Sequence, residues 1–197
     1  MYNLSFNVFI TTVGRTSLCD MLLSLKGQLN SNDYITIVLD KKEAAGQVFD
    51  YLSKLKFNCT VTLIINNEPL GAWGQASRSK YQNKLPGDFI LHADDDDIYT
   101  DDAFDKIRKY VKEPDKLYFF KLLYNGFEMW NEGTVKNGIS LYHIDTANGV
   151  IPNIGILPEW TSRRGGDADF YVSLVKNNFP DYELVDEIIY LKSTSII

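Results

Sequence analysis

Short apolar runs alternate with segments of helical periodicity in the first half of the chain. Three runs are apolar along most of their length and rich in β-branched residues, which predicts strands: residues 6–12 (FNVFITT), 34–39 (YITIVL) and 60–65 (TVTLII). Two intervening segments repeat apolar residues every three or four positions, which predicts helices over residues 16–25 and 42–55. The first half therefore reads as successive strand–helix units.

The pattern continues less regularly toward the end of the chain. After a turn with Pro69 and Gly71, a helix is predicted over residues 73–84 and a short buried strand over 88–92. The second half predicts helices over residues 101–111 and 167–176, and strands over 117–124, 138–144 and 187–192.

This alternation predicts the fold class. Strands that are apolar along most of their length and alternate with helices form a mostly parallel sheet covered on both faces. We therefore expect one Rossmann-like α/β domain over residues 1–197, with three α/β/α layers around a mixed sheet. Ligands of such sheets bind beyond the carboxyl ends of the strands. Residues 11–15, Asp40 and residues 94–97 should therefore converge at one rim.

Composition and charge exclude some classes of binding partner and location. The net charge of −6 and pI near 4.9 oppose binding to nucleic acid, which needs clustered basic residues. The first residues, MYNLSFNVFITTVGR, lack the pattern of a signal peptide, and no window is apolar enough to span a bilayer, so we expect a cytoplasmic protein without a transmembrane segment. Cys19 and Cys59 lie in apolar segments, as buried thiols do.

Four consecutive carboxylates, Asp94 to Asp97, follow the strand predicted at 88–92. They would repel one another unless a cation lay among them, and their oxygen atoms suit Mg²⁺ or Mn²⁺. In an extended chain Asp94 and Asp96 would share one face, and Asp95 and Asp97 the other. The alternative is a solvated acidic turn that precedes the helix starting near Asp101.

Four segments in this order carry a family resemblance: FNVFITTVGR, YITIVLD, GAWGQASRSK and DFILHADDDDIY, with a further point at GGDADF. They resemble the nucleotide-binding half of family-2-like GT-A glycosyltransferases, whose fourth strand ends in a DxD motif. The resemblance implies metal-dependent transfer of a sugar from a nucleoside-diphosphate sugar to a hydroxyl of a carbohydrate, glycoprotein or glycolipid acceptor. Residues 1–97 would bind the donor and residues 98–197 the acceptor. The small size is similar to minimal viral GT-A enzymes, for which the location would be the host cytoplasm.

The resemblance also implies roles for donor-binding residues. Asp96 would be the principal metal ligand. Asp94 would be a second metal ligand and would contact ribose or metal-bound phosphate. Asp95 would bind the nucleotide-sugar, and Asp97 would support these residues. The other residues expected near the nucleotide are Thr11 and Thr12 at the base, Asp40 at a ring N–H of the base, Arg78 at ribose or diphosphate, and Arg15 at the rim. Asp40 is followed by Lys41 and Lys42 where the family has acidic and glycine residues, and Asp40 also fits an ordinary helix start. Arg78 also fits a surface arginine.

The catalytic base is implied to be Asp167, which in an inverting reaction would take the proton of the acceptor hydroxyl. Gly166 stands where the family has Glu, so Asp169 and Asp145 are alternatives. Trp160 is a candidate to face the acceptor sugar, or a packing residue. His143 is a candidate additional metal ligand, or a structural residue.

Two other functions compete with this interpretation. A sugar-phosphate nucleotidyltransferase needs a Gly-rich loop after its first strand to hold a triphosphate, but TTVGRTS contains one glycine. A non-catalytic nucleotide-sugar or carbohydrate-binding protein would keep the fold and lack the base, and Gly166 in place of an acidic residue favours this alternative.

Overall fold

The computed structural model of the protein describes residues 3–129 and 143–192. The described strands and helices follow one another as β1 (Phe6–Thr12), α1 (Leu18–Leu25), β2 (Tyr34–Leu39), α2 (Ala45–Lys54), β3 (Thr60–Ile65), α3 (Gln75–Tyr81), β4 (Phe89–Asp94), β5 (Ile98–Tyr99), α4 (Ala103–Tyr110), β6 (Leu117–Tyr124), β7 (Phe127–Met129), β8 (Gly149–Pro152), α5 (Gly166–Asn177) and β9 (Tyr182–Lys192). Short 3₁₀ turns lie at Lys42–Ala44, Ala72–Gly74, Gln82–Lys84 and Thr146–Asn148.

For four strands, β1, β2, β3 and β6, the bounds predicted from the apolar runs are the bounds that the structure shows. Strands β5, β7 and β8 were not predicted, because two to four residues are too few to show an alternating pattern. Of the strand predicted at 138–144, residues 138–142 lie outside the described residues, and His143 lies in a turn.

The described strands form one sheet in the order β3-β2-β1-β4-β8-β6-β9-β5, with β7 paired to β6. Strands β3, β2, β1 and β4 are parallel, and so is the long pairing of β6 with β9. The short pairings that involve β8, β5 and β7 are antiparallel. The expected mixed, mainly parallel sheet of a single α/β domain is therefore confirmed.

Apolar side chains fill both faces of the sheet. Along β1, Val8 and Ile10 pack into one cluster with α1, α2 and α4, whereas Phe9 packs into a second cluster with α5. This alternation follows from the two-residue period of a strand. The three-layer arrangement is confirmed, and no helix in the described ranges is long and apolar enough to cross a bilayer.

The helix predicted over residues 73–84 is interrupted at its start. Gly71, Ala72, Trp73 and Gly74 all have positive φ values, of 67°, 53°, 50° and 83°. A Cβ atom at Gly74 would lie 2.2 Å from Thr11 Oγ1, so only glycine allows this segment to approach the end of β1. Helix α3 consequently begins at Gln75 and ends at Tyr81, and 3₁₀ turns flank it.

The buried carboxylate of Asp33 connects the amino-terminal end of β1 to α4. Asp33, which is fully buried, accepts hydrogen bonds from the backbone N–H groups of Phe6 and Asn30, at 3.0 and 2.7 Å. It also forms an ion pair with Arg108 of α4. One side chain therefore fixes the start of β1, the turn before β2 and α4.

Replacing Asp33 with Asn is expected to lower the free energy of unfolding by about 2 kcal/mol, because an amide cannot accept all three bonds and Arg108 loses its counter-charge. Denaturant titration monitored by circular dichroism measures this change. Asp50→Asn is the control, since the Asp50–Lys54 ion pair is solvent-exposed and its loss should leave the midpoint unchanged. Equal midpoints for Asp33→Asn and wild type would contradict the expected role of Asp33.

Candidate functional site

A cavity of about 710 Å³ opens at the carboxyl ends of β1, β2 and β4. Residues of all three predicted clusters line it: Thr11, Thr12, Arg15, Asp40, Asp94, Asp95, Asp96 and Asp97. The second half of the chain contributes further lining residues, among them Thr146, Arg164, Asp167 and Lys192. A concavity of about 620 Å³ elsewhere, near Asn3 and Asn58, is lined by no titratable side chain.

The four consecutive aspartates divide differently from the expected alternation. Asp94 is the last residue of β4, and the chain turns at Asp95 and Asp96. Asp94 and Asp97 thereby come together with Asp145, one oxygen of each carboxylate lying within 4.8 Å of the others. We call these three residues the carboxylate cluster. Because the backbone is not extended beyond Asp94, residues three apart share a side here.

Asp95 and Asp96 face Arg15 instead. Arg15 Nη1 lies 3.0 Å from Asp95 Oδ1 and 2.8 Å from Asp96 Oδ2. Asp95 also accepts a hydrogen bond from the Thr12 hydroxyl group, which in turn accepts one from Gly14 N–H at 2.8 Å. Burial raises the pKa of Asp95, despite the hydrogen bond from Thr12 and the charge of Arg15. Asp96, the expected principal metal ligand, is thus engaged with Arg15 and does not belong to the carboxylate cluster.

Arg78 lines the cavity and binds Asp94. Its Nη2 donates to Asp94 Oδ1 at 2.5 Å, and its other described hydrogen bonds go to the carbonyl groups of Trp73 and Ala93. The Arg78 side chain is 1% exposed. Burial acts to raise the pKa of Asp94, but the charges of Arg78 and Lys192 outweigh it, and the pKa lies below its usual value. The immediate role of Arg78 is therefore to position Asp94.

Lys192, the last residue of β9, projects into the carboxylate cluster. Its Nζ lies 2.7 Å from Asp145 Oδ2, 3.8 Å from Asp94 Oδ2 and 3.9 Å from Asp97 Oδ2. Burial acts to lower the pKa of Lys192, but the three carboxylates raise it above its ordinary value, so the side chain is an ammonium ion. The cluster thus has a positive charge of its own.

Asp40 fastens the segment that crosses the cavity rim. One carboxylate oxygen accepts from Asn66 Nδ2 and Leu70 N–H, at 2.7 and 2.8 Å, and the other accepts from Gly71 N–H at 2.7 Å. Asp40 is 6% exposed and still lines the cavity. The oxygen bound to Gly71 has one described partner and retains capacity to accept a second hydrogen bond.

Asp167 lies in the first turn of α5 and faces the same cavity. Its Oδ1 accepts a hydrogen bond from Thr146 Oγ1 at 3.1 Å. Burial, followed by the charges of Asp145 and Asp94, raises the pKa of Asp167 to about 6. The structure also explains Gly166, since a Cβ atom there would lie 2.4 Å from the Thr161 carbonyl oxygen and 2.6 Å from Gln75 Nε2. No larger side chain fits at that position.

The alternative bases lie in other surroundings. Asp169 forms an ion pair with Arg163 and accepts from Thr161 Oγ1 at 2.6 Å, and it does not line the cavity. Asp145 is buried and bonded to Lys192. Among the three carboxylates proposed as base, Asp167 is the one that lines the cavity.

Trp160 and His143 do not have the positions expected of an acceptor-binding residue and a metal ligand. Trp160 is 4% exposed, stacks on Phe170 with ring centroids 4.2 Å apart and donates from Nε1 to Gln82. Its ring is a packing element beneath Arg78 and offers no open face to a sugar. His143 is half-buried in a turn and does not belong to the carboxylate cluster.

Sequence reasoning missed two lining residues of note. Lys192 ends the final strand, but nothing local distinguishes it from an ordinary exposed lysine. Trp73 falls within the predicted helix, whereas in the structure the residue is 75% exposed at the rim of the cavity. The glycines on either side of Ala72-Trp73 were the available signal that this segment is not helical.

The three carboxylates by themselves have the ligand chemistry of a divalent-cation site, but the Lys192 ammonium group lies among them. The carboxylate cluster offers three oxygen ligands close together, as Mg²⁺ and Mn²⁺ sites do. Lys192 Nζ lies within 3.9 Å of all three carboxylates, so a metal ion there must displace the ammonium group.

Solved structures share this fold. The chain superposes on residues 1–349 of TarS from S. aureus with a TM-score of 0.67 at 15% identity, and on the same protein in complex with UDP-GlcNAc with a TM-score of 0.68 at 16% identity; both comparisons cover 96% of this chain. It superposes on the mannosyltransferase PcManGT from Pyrobaculum calidifontis, in complex with GDP-Man and Mn²⁺, with a TM-score of 0.70 at 9% identity over 100% of this chain. The chain spans 58% to 60% of the length of these structures. No protein-family profile and no curated protein sequence matches it. The chain therefore has a glycosyltransferase fold of the GT-A type.

Proposed function

We propose that this protein transfers a sugar from a nucleoside-diphosphate sugar to an acceptor hydroxyl group. The observation that carries the proposal is the convergence of Asp40, Asp94 and Asp167 on one cavity at the carboxyl edge of a glycosyltransferase fold. The structural neighbours support the donor class, because one is bound to UDP-GlcNAc and another to GDP-Man.

The donor would lie across the ends of β1, β2 and β4. Asp40 has remaining acceptor capacity on the oxygen that binds Gly71, which suits a ring N–H of a nucleobase. Trp73 presents an exposed aromatic face at the same rim, and aromatic rings stack readily on bases. The diphosphate would then lie toward Asp94, Arg15 and Lys192.

Asp167 would act as the general base. The carboxylate takes the proton of the acceptor hydroxyl while that oxygen attacks the anomeric carbon, and the bond from this carbon to the diphosphate oxygen breaks. Because the acceptor oxygen attacks from the side opposite the departing diphosphate, the anomeric configuration is inverted. Thr146 orients Asp167 by donating to its Oδ1.

Asp94, Asp97 and Asp145 would hold a divalent cation, Mn²⁺ or Mg²⁺, only after it displaced Lys192, whose ammonium group otherwise occupies the cluster; Asp96 lies nearby in its ion pair with Arg15. When bound, the cation would supply positive charge opposite the departing diphosphate.

Thermal unfolding with UDP, GDP, UDP-GlcNAc and GDP-mannose, each with Mn²⁺ and with EDTA, tests donor binding. A ligand at a hundred times its Kd stabilises the folded state by about 2.7 kcal/mol, so one nucleotide class should raise Tm by roughly 5–10 °C. Asp94→Asn should abolish this rise, whereas the control Asp101→Asn, in an exposed turn, should retain it.

Release of nucleoside diphosphate distinguishes an enzyme from a binding protein. With the nucleotide-sugar that raises Tm and a panel of sugar acceptors, the wild type should release the diphosphate at a rate that depends on the acceptor. Binding without any release would favour the non-catalytic alternative. A folded protein that none of the four nucleotides stabilises would refute donor binding altogether.

A further inference from the structure

The carboxylate cluster already contains a cation. Three negative groups, Asp94, Asp97 and Asp145, surround the Lys192 ammonium at 3.8, 3.9 and 2.7 Å. The lysine reaches them from the carboxyl end of β9, at the position paired with Tyr124 of β6. The pairing of β9 with β6 therefore places the Lys192 ammonium group among the three carboxylates.

Lys192 and a divalent metal ion would compete for this position. Mg²⁺ and similar ions bind carboxylate oxygens at about 2.1 Å. Oxygens that lie within 4.8 Å of one another and within 3.9 Å of Nζ leave no separate space for a second cation. Two positive charges a few ångströms apart also repel strongly in a partly buried site.

The ammonium is open to a ligand. Lys192, Asp94 and Arg78 all line the cavity, but the Lys192 side chain is 25% exposed, whereas that of Arg78 is 1% exposed. A lysine ammonium has three donors on a flexible stem and binds phosphate oxygens as a compact charge. Lys192 is therefore placed to contact an anionic group that enters the cavity and to hold the carboxylates at the same time.

We propose that Lys192 is the resident cation of this site: its ammonium group takes the place of a divalent metal ion among Asp94, Asp97 and Asp145 and neutralises the diphosphate of the donor. The diphosphate half of this proposal rests on the proposed function. Nucleotide binding by the wild type then needs no metal, and removal of the lysine exposes a metal site.

Mn²⁺ binding without nucleotide tests the first half. Titration followed by the electron paramagnetic resonance signal of free Mn²⁺ should show binding about tenfold or more tighter in Lys192→Met than in wild type. Lys116→Met is the matched control, because Lys116 also pairs with two carboxylates, has a 24% exposed side chain and lies outside the residues that line the cavity. Equal Mn²⁺ affinity in wild type and Lys192→Met would overturn the assignment.

Calorimetric titration of UDP and GDP tests the second half. Wild type should bind one of them equally well in EDTA and in Mn²⁺, and this comparison needs no variant. Lys192→Met should lose about tenfold or more of its affinity in EDTA and regain it in Mn²⁺, while Lys192→Arg should keep metal-free binding. Loss of wild-type binding in EDTA would overturn the proposal. If neither nucleotide binds wild type in either condition, the proposed function fails together with the diphosphate role, and the Mn²⁺ titration still decides whether Lys192 is the resident cation.

Discussion

Replacement of Asp167 with Asn is expected to slow sugar transfer by about 10²–10⁴-fold and to leave nucleotide affinity nearly unchanged. Asn has the same shape and can keep the contact with Thr146, but it cannot take a proton from the acceptor. Steady-state rates with saturating donor, together with calorimetric binding of the nucleoside diphosphate, separate these two effects.

Asp169→Asn is the matched control for this prediction. Asp169 lies two residues further along the first turn of the same helix, and its carboxylate is occupied by Arg163 and Thr161. Its replacement should leave the rate of transfer within a few-fold of wild type. Loss of the rate in Asp169→Asn but not in Asp167→Asn would assign the base to Asp169.

The pH dependence of the wild-type rate follows from the same carboxylate. Burial and the neighbouring Asp145 and Asp94 raise the pKa of Asp167 to about 6, and a general base acts only when deprotonated. The value of kcat/KM should therefore rise with pH up to about 6 and level off above it. The residual activity of Asp167→Asn should lack this limb.

Replacement of Arg78 with Met is expected to lower the free energy of unfolding by about 3–5 kcal/mol. The substitution removes the partner of Asp94 and the donors to the Trp73 and Ala93 carbonyl groups from a site that is almost completely buried. Denaturant unfolding of the variant and wild type measures the difference. An arginine that bound the donor without supporting the fold would show little loss.

A double-mutant cycle identifies the cause of that loss. Adding Asp94→Asn to Arg78→Met removes the carboxylate left without its partner, so the double variant should be more stable than the sum of the single effects by about 0.5–3 kcal/mol. Arg15→Met is the control at the same rim, because its side chain is 51% exposed and its ion pairs should contribute little to stability. Strictly additive effects of Arg78→Met and Asp94→Asn would contradict direct coupling.

The pattern of apolar residues was sufficient to predict the first three strands and the parallel sheet that they form. Strands β1 and β2 are buried in a parallel sheet, whereas β3 lies at its edge with half-buried and exposed residues; the ends of all three are marked by turn residues. Because the carboxyl ends of parallel strands meet at one edge, the order of these runs also placed Thr11, Asp40 and Asp94 around one cavity.

The arrangement within the site was decided by tertiary structure. The sequence predicted that Asp94 and Asp96 would share one face, as residues two apart do in an extended chain. The chain instead turns at Asp95 and Asp96, so Asp96 does not lie in the carboxylate cluster with Asp94. Trp160 was buried by its stacking on Phe170 of α5, a contact between segments whose relative position no local pattern states.

By itself, the sequence determined the strands and helices of the first half, because each shows its periodicity within a few residues. Their alternating order then determined the α/β class, the parallel direction of the strands and the edge at which polar side chains gather. Only the tertiary structure decided which charges meet there. Asp145 and Lys192 reach Asp94 from distant parts of the chain, through the pairing of β6 with β8 and β9. The energies of buried charges depend on distances between such segments, and those distances are set by packing of the whole domain.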